Sequence, residues 1–298
     1  MSIVNCKLPK AGLGNQLFPL MKAYLFGQIN NLGVIVTGYN QFRIGPYLRG
    51  DKSKRNYRKY FIFQKGILRE QLDRLALLKY RHYQKQEEHS IEKITGDKKN
   101  KQYIFRDIPH WSDYFKELKD NREEVIRLFW SILSPDFKLQ LEKQDAPWIG
   151  VHIRRGDYRK LKEGEDFSKV GIVRTPEEYF TNTIKSIRKV AGKDLPVSIF
   201  TDGYKDEFDQ LFSVGNIKIV EGNQDIVDLL LLSKSKIIIT SAGSTFSSWA
   251  GFLSNAPLIM HPDHIHQTIR PICIGLKIYE GKFNPANPVL LDNIQNML

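Results

Sequence analysis

Residues 149–158 read IGVHIRRGDY, opening as an apolar run from Ile149 to Ile153 and closing on charge. Four further apolar runs follow, at 197–201, 217–220, 237–240 and 257–260, and they alternate with helical spacing at 176–190, 205–212, 226–233 and 245–253. Strand and helix in strict alternation predict an α/β unit whose parallel sheet is covered on both faces. Ligands of such sheets bind in the crevice beyond the carboxyl ends of the strands. The loops after the strands are therefore where function is to be sought.

The amino-terminal stretch repeats the pattern. Residues 3–7 are apolar, Gly12, Leu13 and Gly14 form a turn, and Leu17, Leu20, Met21, Tyr24, Leu25 and Gln28 recur at helical spacing. Pro19 fits best in a first helical turn, which predicts a helix start at Asn15 or Gln16. Gly33 predicts the helix end, and 34–37 the next strand. From 39 to 145 the chain changes to short helical stretches rich in Lys, Arg, Tyr and Phe, such as 70–83 and 122–133, and the very polar segment 85–101 reads as a loop. A chain of 298 residues suits two compact domains, expected at 1–146 and 147–298.

The net charge is +12, and residues 41–120 hold 20 Lys and Arg against 11 Asp and Glu, so +9 of it lies there. Such a field favours polyanions: nucleic acid, anionic lipid head groups or a phosphorylated substrate. Only Cys6 and Cys273 occur, outside any CxxC spacing, which argues against a disulfide framework or a zinc site and for a reducing compartment. Residues 1–17 lack the basic start and apolar run expected of a signal peptide, and the sequence contains no apolar stretch of about 18 residues. The expectation is a cytoplasmic protein, at most peripheral to a membrane.

Three loops carry the chemistry. After the strand at 149–153, His152 and Arg154 point to one face and Ile153 and Arg155 to the other. An Arg fork suits a diphosphate because it makes two parallel charge-assisted hydrogen bonds and stays charged. An ion pair between Arg155 and Asp157 is the plainer reading of those two residues. After the strand at 237–240 comes Ser241-Ala242-Gly243-Ser244-Thr245-Phe246-Ser247-Ser248-Trp249, whose hydroxyls meet a helix start and so suit an anion. An ordinary N-cap would need only Ser244 or Thr245. The turn Gly12-Leu13-Gly14-Asn15-Gln16-Leu17 resembles half a dinucleotide fingerprint, but Leu17 replaces the third Gly and no acid follows the second strand, which argues against NAD. There is no P-loop motif and no Asp-x-Asp, so Arg and helix-end charge are expected to stand where a cation often does. His261-Pro262-Asp263-His264-Ile265-His266 lies after a strand without helical i, i+4 geometry and is read as a loop, with no metal expected.

Together, GLGNQLF at 12–18, VHIRRGDY at 151–158, FTDG at 200–203, DLLLLSKS at 228–235 and STFSSWAGFL at 244–253 resemble, in order and spacing, the alpha-1,2-fucosyltransferase family, glycosyltransferase family eleven. The resemblance covers the amino-terminal turn and most of 148–255. It implies a metal-independent GT-B fold of two Rossmann-like domains facing a cleft, GDP-fucose as donor, and no cofactor. Arg154 would bind the diphosphate, and His152 and Asp228 the guanosine side. Ser244, Thr245, Phe246 and Ser247 would hold the phosphates, with Asp202 of the FTDG motif among the donor residues. Gly14, Asn15 and Gln16 would close over the donor. A helix-start charge is an equal reading of Asp228.

The chain departs from the family pattern in two places. Ala242 and Gly243 interrupt the usual Ser-Asn start of the hydroxyl-rich motif, with Ser248 at its first Trp, and Gly203 stands where a second acid is common.

The activity implied is inverting transfer of fucose to a glycan hydroxyl, alpha-1,2 to galactose, with Arg154 stabilising the departing GDP. Asp157, Glu163 and Glu165 are the candidate bases by proximity to the arginine loop, and a solvated loop charge is an equal reading of each. The basic region adds the expectation of an anionic or lipid-linked oligosaccharide acceptor and of peripheral contact with an anionic membrane. The rivals are another nucleotide-sugar transferase, a fucosyltransferase of different linkage, a catalytically dead sugar-nucleotide binder, and a basic nucleic-acid-binding protein. The last leaves the hydroxyl-rich loop unexplained, so no nucleic-acid partner is expected.

Overall fold

The computed structural model describes residues 2–41, 44–48, 50, 54–55, 57–97, 99–264, 267–271 and 277–298. In chain order its elements are β1 (Ile3–Lys7), α1 (Leu13–Asn30), β2 (Val34–Thr37), α2 (Gly45–Leu48), α3 (Ile67–Leu78), β3 (Gln84–Glu87), β4 (Lys101–Phe105), α4 (Arg122–Ile132) and α5 (Pro135–Glu142). These are followed by β5 (Ile149–Ile153), α6 (Glu177–Ala191), β6 (Val197–Thr201), α7 (Asp209–Phe212), β7 (Ile217–Ile219), α8 (Asp225–Ser233), β8 (Ile237–Ile239), α9 (Thr245–Leu253), β9 (Leu258–Ile259), β10 (Glu280–Gly281) and α10 (Pro288–Asn296). The chain divides into two compact units. One comprises Met1–Phe42, Arg55–Leu139 and Ile269–Pro271, the other Arg43–Lys54, Gln140–Thr268 and Ile272–Leu298. Each is an α/β unit with an all-parallel sheet, the Rossmann-like class expected.

The first unit orders its strands β2-β1-β4-β3. Helix α1 begins at Leu13, earlier than Pro19 suggested, so Pro19 lies inside it. Having no N–H, Pro19 leaves the Asn15 carbonyl without its i+4 donor. The helix ends at Asn31, not Gly33: Asn31 adopts the left-handed conformation (φ 53°) and donates its N–H to Gln28 and Gly27. Segment 85–101 is not the uniform loop its polarity suggested. Its start belongs to β3, an edge strand paired with β4 along Gln84–Glu87, whose side chains are exposed or half-buried and so give it no apolar pattern.

The second unit orders its strands β10-β9-β8-β5-β6-β7. From β5 the chain winds outward through β6 and β7, then returns to place β8 on the other side of β5. Strand order reverses between β5 and β8, and the crevice beyond their carboxyl ends is where doubly wound sheets bind ligands. Both chemistry-bearing loops, 154–158 and 240–244, leave the sheet there.

Alternation within β5 sets its two faces. Ile149, Val151 and Ile153 pack with Phe180, Ile184 and Ile187 of α6 and Leu290 and Ile294 of α10. Helix α6 forms because these residues recur at helical spacing, Glu177 and Glu178 occupy its first turn, Arg188 and Lys189 its last, and Gly192 stops it in the left-handed conformation. The other face of β5 carries Gly150 and His152. Helix α8, apolar nearly all round, packs against both β5 and α9, as a helix without a polar face must. The regions expected at 217–220, 237–240 and 257–260 are shorter strands, and 205–212 is split into a 3₁₀ turn and α7.

At Gly150 an added Cβ would sit 2.1 Å from Ser235 Oγ and 2.9 Å from Leu232 Cδ1. Gly150→Val is therefore expected to lower stability in urea by about 1–3 kcal/mol through overpacking, with Ser235→Gly restoring part of the loss.

Candidate active site

Arg154 is the first residue beyond β5 and is fixed from both neighbouring strands. On the β8 side, Ser241 Oγ donates to the His152 carbonyl at 2.9 Å and accepts from the Arg154 N–H at 2.8 Å. On the β6 side, Asp202 accepts the Arg155 N–H at 2.7 Å through Oδ1 and the Arg154 guanidinium at 2.5 Å through Oδ2. Asp157 takes a second guanidinium nitrogen of Arg154 at 2.6 Å, and the Tyr158 ring lies 5.6 Å from the Arg154 guanidinium. Burial opposes the Arg154 charge, but Asp202 and then Asp157 outweigh it and hold its pKa above the ordinary arginine value. The side chain keeps 20% exposure, so the guanidinium is both fixed and reachable.

The two arginines thus divide as strand alternation predicts, with one difference in partners. Asp157 pairs with Arg154, not with Arg155. Arg155 is buried, directed at the Thr175 carbonyl (3.4 Å) and lying 5.1 Å from the Phe208 ring centre. The structure also gives a reason for Gly203 in place of an acid: a Cβ there would meet Arg155 Cγ and Glu207 Oε2, each at 2.7 Å. Asp202 lies next to it and serves the arginine loop directly.

Helix α9 starts beside this loop. Tyr158 OH donates to the Gly243 carbonyl at 3.1 Å, and the Ala242 N–H donates to Thr175 Oγ1 at 3.0 Å, so 241–243 is tied down. Ser244 is the N-cap residue yet makes no side-chain cap hydrogen bond, so its hydroxyl leaves the first amides of α9 uncapped. Thr245 opens the helix. Ser247 and Ser248 turn their hydroxyls back to the Ser244 carbonyl, at 3.2 and 3.0 Å. Phe246 stacks on His152, ring centres 4.8 Å apart at 24°.

His152 is buried, and its Nδ1 has no hydrogen-bond partner among the described residues. Burial, then the neighbouring Arg154 charge, push its pKa down to about 3, so the ring is neutral at ordinary pH. Asp228 lies in the first turn of α8 and accepts from Asn223 Nδ2 at 3.0 Å, within a network that includes Gln144. The helix-start reading and a polar partner are thus both present there. Glu163 is exposed on the loop after the arginine motif, while Glu165 pairs with Arg159, which holds its carboxyl well below the usual carboxylate range.

In the first unit, Gly14, Asn15 and Gln16 open α1. Gln16 donates to the Pro9 carbonyl at 3.0 Å, and Asn15 Oδ1 is buried with no hydrogen-bond partner among the described residues. His261 and His264 pack around Phe167, and burial lowers the His261 pKa. Ile265, His266 and Cys273 lie outside the described residues.

Thr175 and Tyr158, which build the site, had no role assigned from sequence, and Ser241, one of the hydroxyls expected to suit an anion, holds the β5 backbone instead. Ser241 carried a signal, a hydroxyl just beyond an apolar strand, but its meaning depends on β8 lying beside β5.

The His152 shift has a pH consequence. The unfolded chain takes up a proton as pH falls below about 6.5, while the folded ring stays neutral down to about 3. Stability is therefore expected to fall with decreasing pH in that window, at up to about 1.4 kcal/mol per unit from this group. Urea denaturation across pH 6.5 to 4 checks it, and His152→Gln is expected to flatten the slope.

The geometry can be set beside known proteins. An alpha-1,2-colitosyltransferase from Escherichia coli is 29% identical over 277 residues, 87% of this chain and 90% of that protein. Among solved structures, fucosyltransferase NodZ from Bradyrhizobium matches at TM-score 0.49 and 15% identity, covering 89% of this chain and 97% of its own. A mutant of Arabidopsis thaliana FUT1 in complex with GDP matches at 0.47 and 12%, covering 91% of this chain and 76% of its own. The model of Glycosyl transferase family 11 matches residues 10–260, which takes in the Gly12 turn, the arginine loop and the start of α9. The chain is a glycosyltransferase and belongs to family 11.

Proposed function

We propose that the chain moves fucose from GDP-fucose to a glycan hydroxyl, O2 of galactose, by one inverting displacement without a metal ion or cofactor. The observation that supports this reading best is Arg154, a reachable guanidinium fixed at the strand-order reversal beside an uncapped helix start. Fixed positive charge of this kind suits a leaving diphosphate, because it needs no rearrangement as negative charge develops. As the bond from the anomeric carbon to the phosphate oxygen breaks, its electron pair leaves with GDP and is met by Arg154 and the α9 amides. The acceptor oxygen bonds to the anomeric carbon from the opposite side, and its proton passes to a carboxylate.

Asp157 suits the role of base. It occupies the Arg154 fork, and a diphosphate taking its place would free it beside the reacting centre. Glu163, on the exposed loop, is the second candidate. Asp202 is assigned as the residue that positions Arg154. His152 and Asp228 are assigned to the guanosine, Ser244, Thr245, Phe246 and Ser247 to the phosphates, and Gly14, Asn15 and Gln16 to the donor as the family resemblance implies. In this reading residues 1–146 serve the acceptor and 147–298 the donor, as the two domains of a GT-B enzyme. The acceptor is a lipid-linked oligosaccharide at an anionic membrane facing the cytoplasm, a reading supported by the +9 excess in residues 41–120.

A second donor is favoured by one observation: the Escherichia coli relative is a colitosyltransferase, so the sugar in this chain's donor is read as fucosyl first and colitosyl second.

Arg154→Ala is expected to lower kcat/KM for transfer from GDP-fucose to a galactoside by at least about 100-fold. Full activity in that variant would sink the assignment. Asp157→Asn is expected to lower kcat by at least about 100-fold while leaving GDP affinity equal or tighter, and weaker GDP binding would make Asp157 structural. In EDTA, GDP at about 100 times Kd is expected to stabilise the fold by about 2.7 kcal/mol. Stabilisation by UDP alone would overturn the donor.

A further inference from the structure

Helix α3 is amphipathic the wrong way round for a helix that packs on its own protein. Its inward side carries two acids beside the half-buried Ala76 and Leu77. Glu70 accepts the Gly38 and Asn40 N–H groups at 2.8 Å each and the Arg74 guanidinium at 2.6 Å, and its side chain is 3% exposed. Asp73, paired with Arg69 at 3.1 Å, is 16% exposed. The outward side is apolar: Leu68, Leu72 and Leu75, at i, i+4 and i+7, are 82%, 58% and 59% exposed, with Ile67 and Leu78 beside them at 58% and 57%. At 100° per residue this apolar arc has Arg69 on one flank and Arg74 on the other, with Lys79 capping its end.

Exposed aliphatic side chains this dense mark an interaction surface, and the charge around them chooses the partner. Residues 55–83 contain eight Lys and Arg and two Asp and Glu, and the two acids are the turned-in Glu70 and Asp73. A second copy of this chain would bring the same positive surface against it. An anionic bilayer instead offers apolar chains to the leucines and negative head groups to the flanking Arg and Lys, whose long stems reach upward to them.

We infer that the outward face of α3, Leu68, Leu72 and Leu75 with Arg69, Arg74 and Lys79, docks the protein on the surface of an anionic lipid bilayer. This locates the membrane contact of the proposed function on one helix face and stands independently of the donor, so a chain that fails to transfer fucose can still pass the test. The test is co-sedimentation of the full chain with vesicles of phosphatidylglycerol and phosphatidylcholine (1:1) and of phosphatidylcholine alone.

Wild type is expected to partition at least ~10-fold more strongly to the anionic vesicles, and Leu68→Gln/Leu72→Gln/Leu75→Gln to lose at least ~10-fold. Lys65 is exposed just ahead of α3, and Lys65→Gln/Arg69→Gln/Lys79→Gln is expected to lose the preference for anionic lipid while keeping its fold. Should the leucine variant fail to fold, hydrogen exchange of the wild type is expected to slow across residues 67–78 when anionic vesicles are added. Binding to neither vesicle, equal binding to both, unchanged exchange in α3, or a wild-type dimer that the leucine variant converts to monomer without any vesicle binding would each overturn the inference.

Discussion

One serine hydroxyl joins the two halves of the site. Ser241 donates to the last-but-one carbonyl of β5 and accepts the amide of the residue just past it, so the end of β5 and the loop after β8 are held as one piece. Asp202 does the corresponding work from β6, taking the Arg155 amide with one oxygen and the Arg154 guanidinium with the other. A charged side chain on a strand end normally has wide freedom. Here the backbone on either side of Arg154 and the guanidinium itself are all tied to neighbouring strands, so its direction follows from the sheet. The start of α9 is placed by the same loop, through the Tyr158 and Thr175 contacts.

The electrostatics follow from that placement. Bringing a guanidinium into partial burial costs free energy unless carboxylates accompany it, and Asp202 and Asp157 do so. The two are unlike: Asp202 is the more enclosed, at 12% exposure, and Asp157 the more open, at 36%. An incoming anion would exchange with the open one and leave the enclosed one holding the arginine. His152, neutral through burial and the Arg154 charge, adds a flat ring stacked on Phe246 rather than a third positive group. Positive charge is thereby concentrated on one side chain and the helix end.

Much of this was legible in the sequence, for a physical reason. The strands of a parallel sheet covered on both faces appear as continuous apolar runs, and 149–153, 197–201 and the helix α6 between them lie where expected. Alternation carried on past the end of β5 separated Arg154 from Arg155. What stayed hidden depends on distant contacts. Nothing local shows that β8 returns to lie beside β5, so Ser241 read as an anion-binding hydroxyl and Thr175 carried no assignment, and nothing local shows that Arg155 is buried against Phe208, so its pairing with Asp157 was the simpler reading. Edge strand β3 has no buried face to reveal it. Pro19 misled because surrounding packing keeps α1 intact, nearly every residue of its middle being buried, despite a lost backbone hydrogen bond. In 40–145, composition revealed the basic charge, but only the turned-in Glu70 shows that the leucines of α3 point outward.

The central claim is that Arg154 receives the donor diphosphate by exchanging it for Asp157. The most direct measurement is a crystal structure of the wild-type chain with GDP bound. The account requires the Arg154 guanidinium within about 3 Å of a phosphate oxygen, still held by Asp202, with Asp157 moved off the fork and the β-phosphate facing the amides that begin α9. GDP bound elsewhere, or phosphates reaching the site while Arg154 keeps Asp157, would contradict it.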